Sequence, residues 1–456
     1  MSVEYGSLVV RDDGRGGPVA PPTDARVLQA IADFGLEGRT LYLPHMPYGG
    51  SYLLAAAIRS IGFDCWPATH STAHSMELAG TVTSGEECYP QKIVVGDLLG
   101  MIEDVGRDKV AFLMPEANGP CRFGQYRHLI RHKLDALGYS DVPIITITSN
   151  DGYASIGQYS QSLVRTAWRA VLVSDALMKL LLRTRPYETE PGITDQVYLD
   201  ALRDVGRALA LRHVSDGQRR DAIVAALTAA RDRFRAVPAR YDRSRPLIGV
   251  VGEIFCRLNQ FANADVIRIV EEQGGECWLA GIGEWVWYVD DEQRRRLSDE
   301  GRRFSRENLV RNIKAVVMGR DEHALMAPLA DDFVGYEEEH SVGAILERAW
   351  PYLPYDGALG EMVISTGASI YLQGKGADGI IDISPFTCMN GIVTEAIYPA
   401  VSRDLDGLPI RTFYFDGTQS DMERDIGIFL ELARTYQRRK KPVRRYPACF
   451  PATDAG

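Results

Sequence analysis

The chain has 456 residues, which is longer than one ordinary hydrophobic core and predicts two domains with connecting helices. Its 45% hydrophobic and 25% charged residues are ordinary values for a folded globular protein and argue against extended disorder. A formal net charge of -10 opposes binding to a phosphate backbone, so we expect no nucleic-acid partner.

The sequence shows neither a membrane helix nor the basic-then-apolar order of a signal peptide. Its most apolar helical run, at 163–183, is interrupted by Arg169, Asp175 and Lys179. We therefore expect a cytoplasmic protein without a membrane partner. In a reducing compartment, seven scattered cysteines are packing residues, metal ligands or reactive thiols rather than a disulfide framework.

The first third of the chain predicts a tail followed by an α/β domain. Residues 1–36 are rich in Gly, Pro and charge, and predict a mobile tail that ends in a short helix at "ARVLQAIADFG". Over residues 37–154, the strand "TLYLPHM", the helix "YGGSYLLAAAIRSIG" and the strand "FDCWPA" form a predicted βαβ unit. Two further strand-like runs, "VAFLMPEANG" and "VPIITITSNDG", flank a helical pattern at 123–137.

The rest of the chain predicts a helical connector and a second α/β domain. Residues 155–243 have long amphipathic helical patterns without a strand signal. Strand and helix signals alternate again over 244–435, with a charged helical insertion at 291–350, and the basic residues 436–456 predict a solvated tail. The predicted fold class is α/β, with two stacked parallel-sheet domains of flavodoxin-like or Rossmann-like type and a helical connector.

The two predicted domains share the same order of strand, cysteine-containing loop and helix. A strand is followed by a loop with Cys121 and a helix in the first domain, and by a loop with Cys388 and a helix in the second. This order, rather than matched letters, predicts that the two cysteines occupy corresponding strand-to-helix turns. The first strand of the second domain ends at Glu253, for which we favour a helix cap or an interdomain hydrogen bond.

The sequence around each cysteine distinguishes four that we do not expect to bind a ligand from three candidate ligands. Cys65 and Cys277 lie in apolar strand-like runs beside Trp, which predicts small buried hydrophobes. Cys256 follows a strand end, where we favour a structural role, and Cys449 falls in the Pro-rich tail, where we expect a mobile thiol. The other three cysteines precede helical patterns in loops that contain Gly or Pro, and they are Cys88, Cys121 and Cys388.

The loop positions of these three cysteines suit ligand chemistry. Loops after parallel strands line the crevice where α/β proteins bind ligands, and helix N-termini in that place favour a thiolate. Three thiolates suit an iron-sulfur cluster with one open iron, or a zinc ion with an open position. Because the sequence has no C-x-x-C and no zinc-type His spacing, we favour the cluster, with three unrelated buried cysteines as the alternative on spacing alone.

The charged residues next to these cysteines each have two possible roles. Glu87 is either a catalytic acid beside the cluster or, with Glu86, a cap of the following helix. Arg122 either neutralises the cluster or a substrate anion, or forms a structural ion pair. The backbone N–H groups of Gly119 and Gly391 are candidates for hydrogen bonds to cluster sulfides, which tune the reduction potential.

Seven separated motifs give the sequence a family resemblance. They are "TSGEECYPQK", "PEANGPCRFGQYRHL", "TSNDGYASIG", "RTRPYE", "VVGEIFCRLNQFAN", "LGEMVISTG" and "KGADGIIDISPFTCMNGIVTEAI". In this order they resemble the acyl-CoA dehydratase activase-related family, which is related to the 2-hydroxyacyl-CoA dehydratase and benzoyl-CoA reductase subunits and to the double-cubane cluster proteins. The resemblance runs from about Leu41 to about Leu432, and implies stacked α/β domains with a cluster held by Cys88, Cys121 and Cys388.

The resemblance also implies a cofactor and a partner. Related enzymes receive low-potential electrons from a separate ATP-dependent iron-sulfur activator, an ATPase of the acetate-kinase/Hsp70-like fold. Because this chain has no P-loop motif, we expect ATP to act through such a partner. The implied cofactor is a [4Fe-4S] cluster, or an [8Fe-9S] double-cubane cluster shared across a dimer. The implied assembly is a homodimer or a heterodimer with a related subunit.

Two functions follow as expectations. The first is a reductase or dehydratase component that acts at the three-Cys cluster on a small substrate such as an acyl-CoA. The second is a non-catalytic electron-transfer or assembly subunit of a larger complex. Acyl-CoA chemistry follows from the family resemblance alone, since no loop has a clear signature for adenine or pantetheine.

Overall fold

The computed structural model describes residues 25–116, 121–146, 160–339, 341–356, 360–418 and 421–451. The chain divides into two compact units. The first unit comprises Met1–Ser174 and Leu202–Ile223, and the second comprises Asp175–Ala201 and Val224–Gly456. The predicted mobile tail at 1–24 lies outside the described residues.

The first unit contains a parallel sheet with helices in its connections. Its elements in chain order are α1 Ala25–Asp33, β1 Thr40–Leu43, α2 Tyr48–Arg59, β2 Cys65–Pro67, α3 Ala73–Val82, α4 Tyr89–Val105, β3 Val110–Leu113, a 3-10 helix Arg122–Gln125, α5 Tyr126–Ala136 and β4 Ile144–Ile145. The short helix, the βαβ unit and the helix after Cys121 are confirmed.

The four strands of the first unit are ordered β2-β1-β3-β4, and all pairs are parallel. Leu41 of β1 lies beside Ala111 of β3 and beside Cys65 of β2. Strand β3, with the sequence VAFL, is buried at every position, which is typical of a parallel strand covered on both faces.

Three long helices follow the first sheet. They are α6 Ser160–Thr184, α7 Ile193–Leu209 and α8 Asp216–Arg235. Over the described residues 160–243, these helices and an isolated bridge between Glu188 and Ala239, without a strand, agree with the helical pattern that the sequence predicts. They do not form a separate body, however, because each of them contributes residues to both compact units.

The second unit contains the second parallel sheet. Its elements after α8 are β5 Leu247–Gly252, α9 Ile254–Leu258, α10 Val266–Glu272, β6 Glu276–Leu279, α11 Ile282–Asp299, α12 Arg306–Met326, a 3-10 helix Ala327–Phe333, α13 Val342–Ala349, α14 Glu361–Gly374, β7 Gly379–Pro385, α15 Met389–Asp404, β8 Ile410–Phe415 and α16 Met422–Gln437. The run "ECWLAGIGEW" is strand only to Leu279, because Gly281 caps α11 and the helical insertion therefore begins earlier than 291.

The second sheet repeats the strand order of the first. Its order is β6-β5-β7-β8, again with every pair parallel, and Val250 of β5 lies beside Ile381 of β7. Both orders read second, first, third and fourth strand, which is the flavodoxin-like arrangement. The α/β fold class and the two-sheet organisation are therefore confirmed.

The basic segment after α16 does not form the solvated tail that the sequence predicts. Arg444 is buried and donates a hydrogen bond to Glu276 of β6 over 2.7 Å. Phe450 is also buried, with its ring centroid 5.2 Å from that of Tyr187. The prediction was wrong because Arg444 and Phe450 find a buried carboxylate and an aromatic pocket in the same unit, which charge counting does not reveal.

No helix in the described part of the chain is both long and apolar enough to cross a membrane. The longest, α6, carries charged residues such as Arg169 within its span.

Candidate functional site

The strand orders place Cys121 and Cys388 in corresponding loops. In an open parallel sheet, ligands bind at the carboxyl ends of strands where the strand order reverses. In the first sheet this point lies between β1 and β3, and Cys121 lies in the connection that follows β3. In the second sheet it lies between β5 and β7, and Cys388 follows β7. The predicted equivalence of the two cysteine turns is thus confirmed.

All three candidate cysteines immediately precede a helix. Cys88 is the N-cap of α4, Cys121 is the N-cap of the 3-10 helix, and Cys388 is the N-cap of α15. Their exposure differs, because Cys121 is exposed whereas Cys88 and Cys388 are half-buried. Free N–H groups at a helix start favour a thiolate over a thiol.

Arg122 links the Cys121 loop to the Cys88 loop. Its Nη1 donates a hydrogen bond over 3.1 Å to the backbone carbonyl oxygen of Glu86. The contact joins positions that are 36 residues apart in the chain and places each of them within two residues of a candidate cysteine. Of the two predicted roles of Arg122, this contact resembles the structural one, with a carbonyl as acceptor in place of an ion-pair partner.

Glu87 closes the turn before Cys88. Its carboxylate accepts hydrogen bonds from the backbone N–H groups of Ser84, at 2.9 Å, and Gly85, at 3.1 Å, and from the Ser84 hydroxyl. Lys133 of α5 lies 4.0 Å from the same carboxylate. Partial burial raises the pKa of Glu87, but these hydrogen bonds outweigh burial and hold the pKa below its ordinary value.

The contacts of Glu87 bear on both of its predicted roles. A carboxyl group with a lowered pKa is ionised at neutral pH and is therefore a poor proton donor there. The carboxylate caps the Ser84–Gly85 turn, whereas the N-cap of α4 is Cys88. The catalytic role of Glu87 stays a prediction, with a structural role now visible beside it.

The loop of Cys388 is a tight turn between β7 and α15. The backbone N–H of Cys388 donates to the carbonyl of Pro385 over 3.0 Å, and that of Phe386 donates to Phe415 of β8. Thr387 has a φ of 66°, a conformation that is strained for a branched residue. Backbone strain of this kind is concentrated at functional sites.

The pKa of the Cys388 thiol is shifted in opposite directions by its surroundings. Burial raises its pKa, and the backbone N–H groups of Gly391 and Asn390 act in the opposite direction. The net pKa lies above the ordinary value, because burial and the nearby carboxylates of Glu253 and Glu361 outweigh the two N–H groups. The expected lowering of this thiol pKa by the helix start is therefore wrong for the free thiol, although the N–H groups are placed as the sequence predicts.

Gly391 has a packing role in addition to its N–H group. It is buried in the first turn of α15, and a Cβ built there would lie 2.1 Å from the Oγ of Ser384 and 2.6 Å from its Cβ. Ser384 belongs to β7 and is itself buried, so it has no space in which to withdraw. The other glycine of the prediction, Gly119, lies outside the described residues.

Three large apolar side chains within four residues of Cys388 are exposed on the protein surface. The exposed fractions are 59% for Phe386, 47% for Met389 and 54% for Ile392. The loop of Cys388 is therefore bordered by apolar surface, on which a charged centre would be poorly hydrated.

The predictions for three of the remaining cysteines agree with the structure. Cys65, Cys256 and Cys277 are fully buried, and burial raises the pKa of Cys65 and Cys277, as expected for structural thiols. Cys449 is exposed, but the Arg183 guanidinium donates to its sulfur over 3.7 Å and the neighbouring Phe450 is buried, so the mobile thiol stays a prediction.

Glu253 forms the helix cap that the sequence analysis favours. Its two carboxylate oxygens accept from the N–H groups of Phe255, at 3.0 Å, and Cys256, at 2.8 Å. Its own N–H donates to Ile383 of β7, so the first loop of the second unit is joined to the strand that leads to Cys388.

A group of buried charged residues in the second unit is not predicted by the sequence. A small cavity, with room for about one water molecule, is lined by Arg257, Glu284 and Glu361 among others. Burial raises the pKa of Glu284 to about 8 and that of Glu361 to about 7. Glu361 also accepts a hydrogen bond over 2.7 Å from Asn390, two residues after Cys388.

The signal for this group was present but weak. Both glutamates follow a glycine at a helix start, in "GIGEW" and "LGEMV", where Glu is a common first-turn residue. Their proximity to Arg257 depends on tertiary packing of α9, α11 and α14, which periodicity does not reveal.

The candidate cysteines belong to different units. Cys88 and Cys121 lie in the first unit and Cys388 in the second. Within the described ranges, no group of three or more His, Cys, Asp or Glu side chains is arranged to hold a metal ion. No family model matches the chain, and no curated protein matches it. The family resemblance therefore stays a prediction.

Proposed function

We propose that this chain is a cytoplasmic iron-sulfur protein, in which thiolates of Cys88, Cys121 and Cys388 bind a cluster that accepts low-potential electrons from a separate ATP-dependent activator. The observation that carries the proposal is the position of the three cysteines. Each occupies the N-cap position of a helix, and two of them follow corresponding strands of two sheets with the same strand order.

The donor chemistry of these residues fits a cluster. Thiolates are the ligands of iron-sulfur clusters, and backbone N–H groups near the sulfurs tune the potential. Cys388 has such N–H groups from Asn390 and Gly391. A bound iron ion would also reverse the effect of burial on the Cys388 thiol, because a coordinating thiol is deprotonated. A cluster with three protein ligands would supply one-electron chemistry at an iron open to a further ligand.

The residues around the cysteines perform three tasks in this proposal. Arg122 holds the two loops of the first unit together through Glu86, which fixes the spacing of two ligands. Glu87 fixes the turn that leads into Cys88. The apolar surface at Phe386, Met389 and Ile392 lowers the local dielectric around Cys388 and offers a contact for an electron-donating protein.

The first form of this function is a reductase or dehydratase component that acts on a small substrate such as an acyl-CoA. A proton source is needed for such a reaction. Glu361 suits this task better than Glu87, because its pKa is raised to about 7 and it contacts Asn390 on the helix that begins after Cys388.

The second form is a non-catalytic electron-transfer subunit. It is favoured by the contacts of Glu87, whose carboxylate is engaged by Ser84 and Gly85 and has a lowered pKa. A relay requires ligands and an exposed docking surface but no proton donor at the cluster.

Metal analysis after anaerobic purification and reconstitution tests the shared part of the proposal. We expect iron and acid-labile sulfide in similar amounts and an EPR signal after reduction. Zinc in place of iron, or a protein that takes up neither metal, would contradict the proposal. Turnover of an acyl-CoA by the isolated chain with its ATPase supports the enzyme, whereas electron uptake without turnover supports the relay.

A further inference from the structure

The N-terminal half of helix α12 in the second unit has an unusual orientation, with apolar side chains exposed and the polar Asn308 and Arg311 buried, whereas Met318 and Leu325 of its C-terminal half are buried in the usual way. The exposed fractions are 60% for Leu309, 57% for Val310, 58% for Ile313 and 55% for Val316. An amphipathic helix of a globular protein normally turns its apolar stripe towards the core. A reversed helix therefore indicates a surface that a partner covers.

Polar contacts fix this orientation. On the inner face, Arg311 is buried, forms an ion pair with Asp290 of α11, and donates over 3.1 Å to the side chain of Asn308. One turn from the end of α12, Glu322 accepts a hydrogen bond over 2.9 Å from the indole of Trp287. Rotation of α12 to bury its apolar stripe would break these contacts and leave buried charges unpaired.

The apolar stripe is symmetric about Ile313. Apolar residues stand three and four positions before it, at Val310 and Leu309, and three and four positions after it, at Val316 and the half-buried Val317. Residues with this spacing share one face of a helix. The pattern is the same in both chain directions, so an antiparallel copy of α12 would match apolar with apolar along the whole stripe.

We propose that α12 binds α12 of a second copy of this chain, antiparallel and with the two-fold axis at Ile313. A self-complementary patch of this kind is what a two-fold dimer requires. The inference goes beyond the iron-sulfur proposal and does not depend on it. The stripe is small for a specific interface, so we expect a dissociation constant on the order of micromolar.

The charges at the ends of the stripe predict the salt dependence of the dimer. Arg306 and Arg320 each lie seven residues from Ile313, so every end of the helix pair brings one Arg306 near one Arg320. Salt screens this repulsion and leaves the apolar contact intact. The dimer should therefore be stabilised when salt is added, whereas a charge-driven contact would weaken.

Sedimentation equilibrium on the full chain, over a range of concentrations, tests the proposal. We expect a monomer–dimer equilibrium for the natural sequence, and Ile313→Lys should raise the dissociation constant by about 100-fold because two lysines meet on the axis. The matched control is Leu432→Lys, which alters an apolar side chain of α16 that is 56% exposed. Its dissociation constant should stay unchanged.

Cross-linking identifies the axis independently. We expect Ile313→Cys to form a disulfide-linked dimer under mild oxidation, and Asn312→Cys, on a neighbouring face of the helix, to form little. Both variants should keep the circular dichroism of the natural protein, since both positions are exposed. A chain that stays monomeric at high concentration, as when another segment covers the stripe, would overturn the proposal. So would dimerisation that Ile313→Lys leaves intact.

Discussion

At the scale of single residues, the fit between Gly391 and Ser384 is the most restrictive feature near Cys388. The first turn of α15 approaches β7 so closely that only a hydrogen fits at position 391. We expect Gly391→Ala to lower the free energy of unfolding by about 1–3 kcal/mol, because the added methyl group overpacks a buried contact. Urea unfolding of the purified variant measures this change.

Two further variants test the packing explanation for Gly391. Gly374→Ala is the matched control, since a Cβ at that helical position meets nothing within 4 Å, and it should leave stability unchanged or slightly higher. Adding Ser384→Gly to Gly391→Ala should recover part of the loss. If both alanine variants unfold at the same urea concentration, the close contact is not what constrains position 391.

Glu284 predicts how the stability of the second unit depends on pH. Burial raises its pKa to about 8, with Glu338 contributing in the same direction and Arg257 opposing both. The folded protein thus keeps this proton at pH values where the unfolded chain has lost it, and the free energy of unfolding falls as pH rises from about 4.5 to about 8.

Replacing Glu284 by Gln should remove this part of the pH dependence. Between pH 5 and pH 8, we expect the natural protein to lose about 2–4 kcal/mol more stability than Glu284→Gln, at 1.36 kcal/mol per pKa unit. Thermal and urea unfolding at several pH values provide the comparison, with the exposed Glu272→Gln as control. Parallel stability curves for the natural protein and Glu284→Gln would show that Glu284 titrates normally.

At the scale of elements, the segment after α16 is anchored by one buried carboxylate. Glu276 of β6 is fully buried and accepts hydrogen bonds from Arg444, from Tyr336 and, over 2.6 Å, from Tyr187. Arg444→Ala should destabilise the protein by about 3–5 kcal/mol, because it leaves this charge buried without its cation. Denaturant unfolding, followed by tryptophan fluorescence, detects the loss.

The neighbouring arginine is the control for this prediction. The side chain of Arg445 is 72% exposed and lies 3.8 Å from Glu337, so Arg445→Ala should change stability by less than about 0.5 kcal/mol. Combining Arg444→Ala with Glu276→Gln should restore part of the lost stability. Equal effects of the two arginine variants would contradict an anchored segment.

At the scale of the whole molecule, the sequence predicts the parts that local patterns determine. The buried run "LIGVVG" has no polar alternation and is interpreted correctly as a parallel strand, and "GIIDISP" is also a parallel strand, in which the alternating polar residues Asp382 and Ser384 are buried. The repeated order of strand, cysteine loop and helix predicts corresponding positions for Cys121 and Cys388, and the matching strand orders confirm it.

Features that depend on distant partners are not predictable in this way. The burial of Arg444 requires Glu276, which lies 168 residues away in the chain. The outward stripe around Ile313 has the same periodicity as an inward one, and its direction depends on the tertiary contacts of Arg311 and Glu322 and on the burial of Met318 and Leu325. The raised pKa values of Glu284 and Glu361 likewise arise from burial that three separate helices create.

The central claim is that three particular cysteines bind one type of cluster, and iron content per chain in a series of cysteine variants tests it most directly. After identical anaerobic reconstitution, we expect about four iron atoms per natural chain, either as one [4Fe-4S] cluster or as half of a shared double cubane. Cys88→Ala, Cys121→Ala and Cys388→Ala should each lose most of this iron, and Cys449→Ala should keep it. Iron content that is the same in all four variants would contradict the claim.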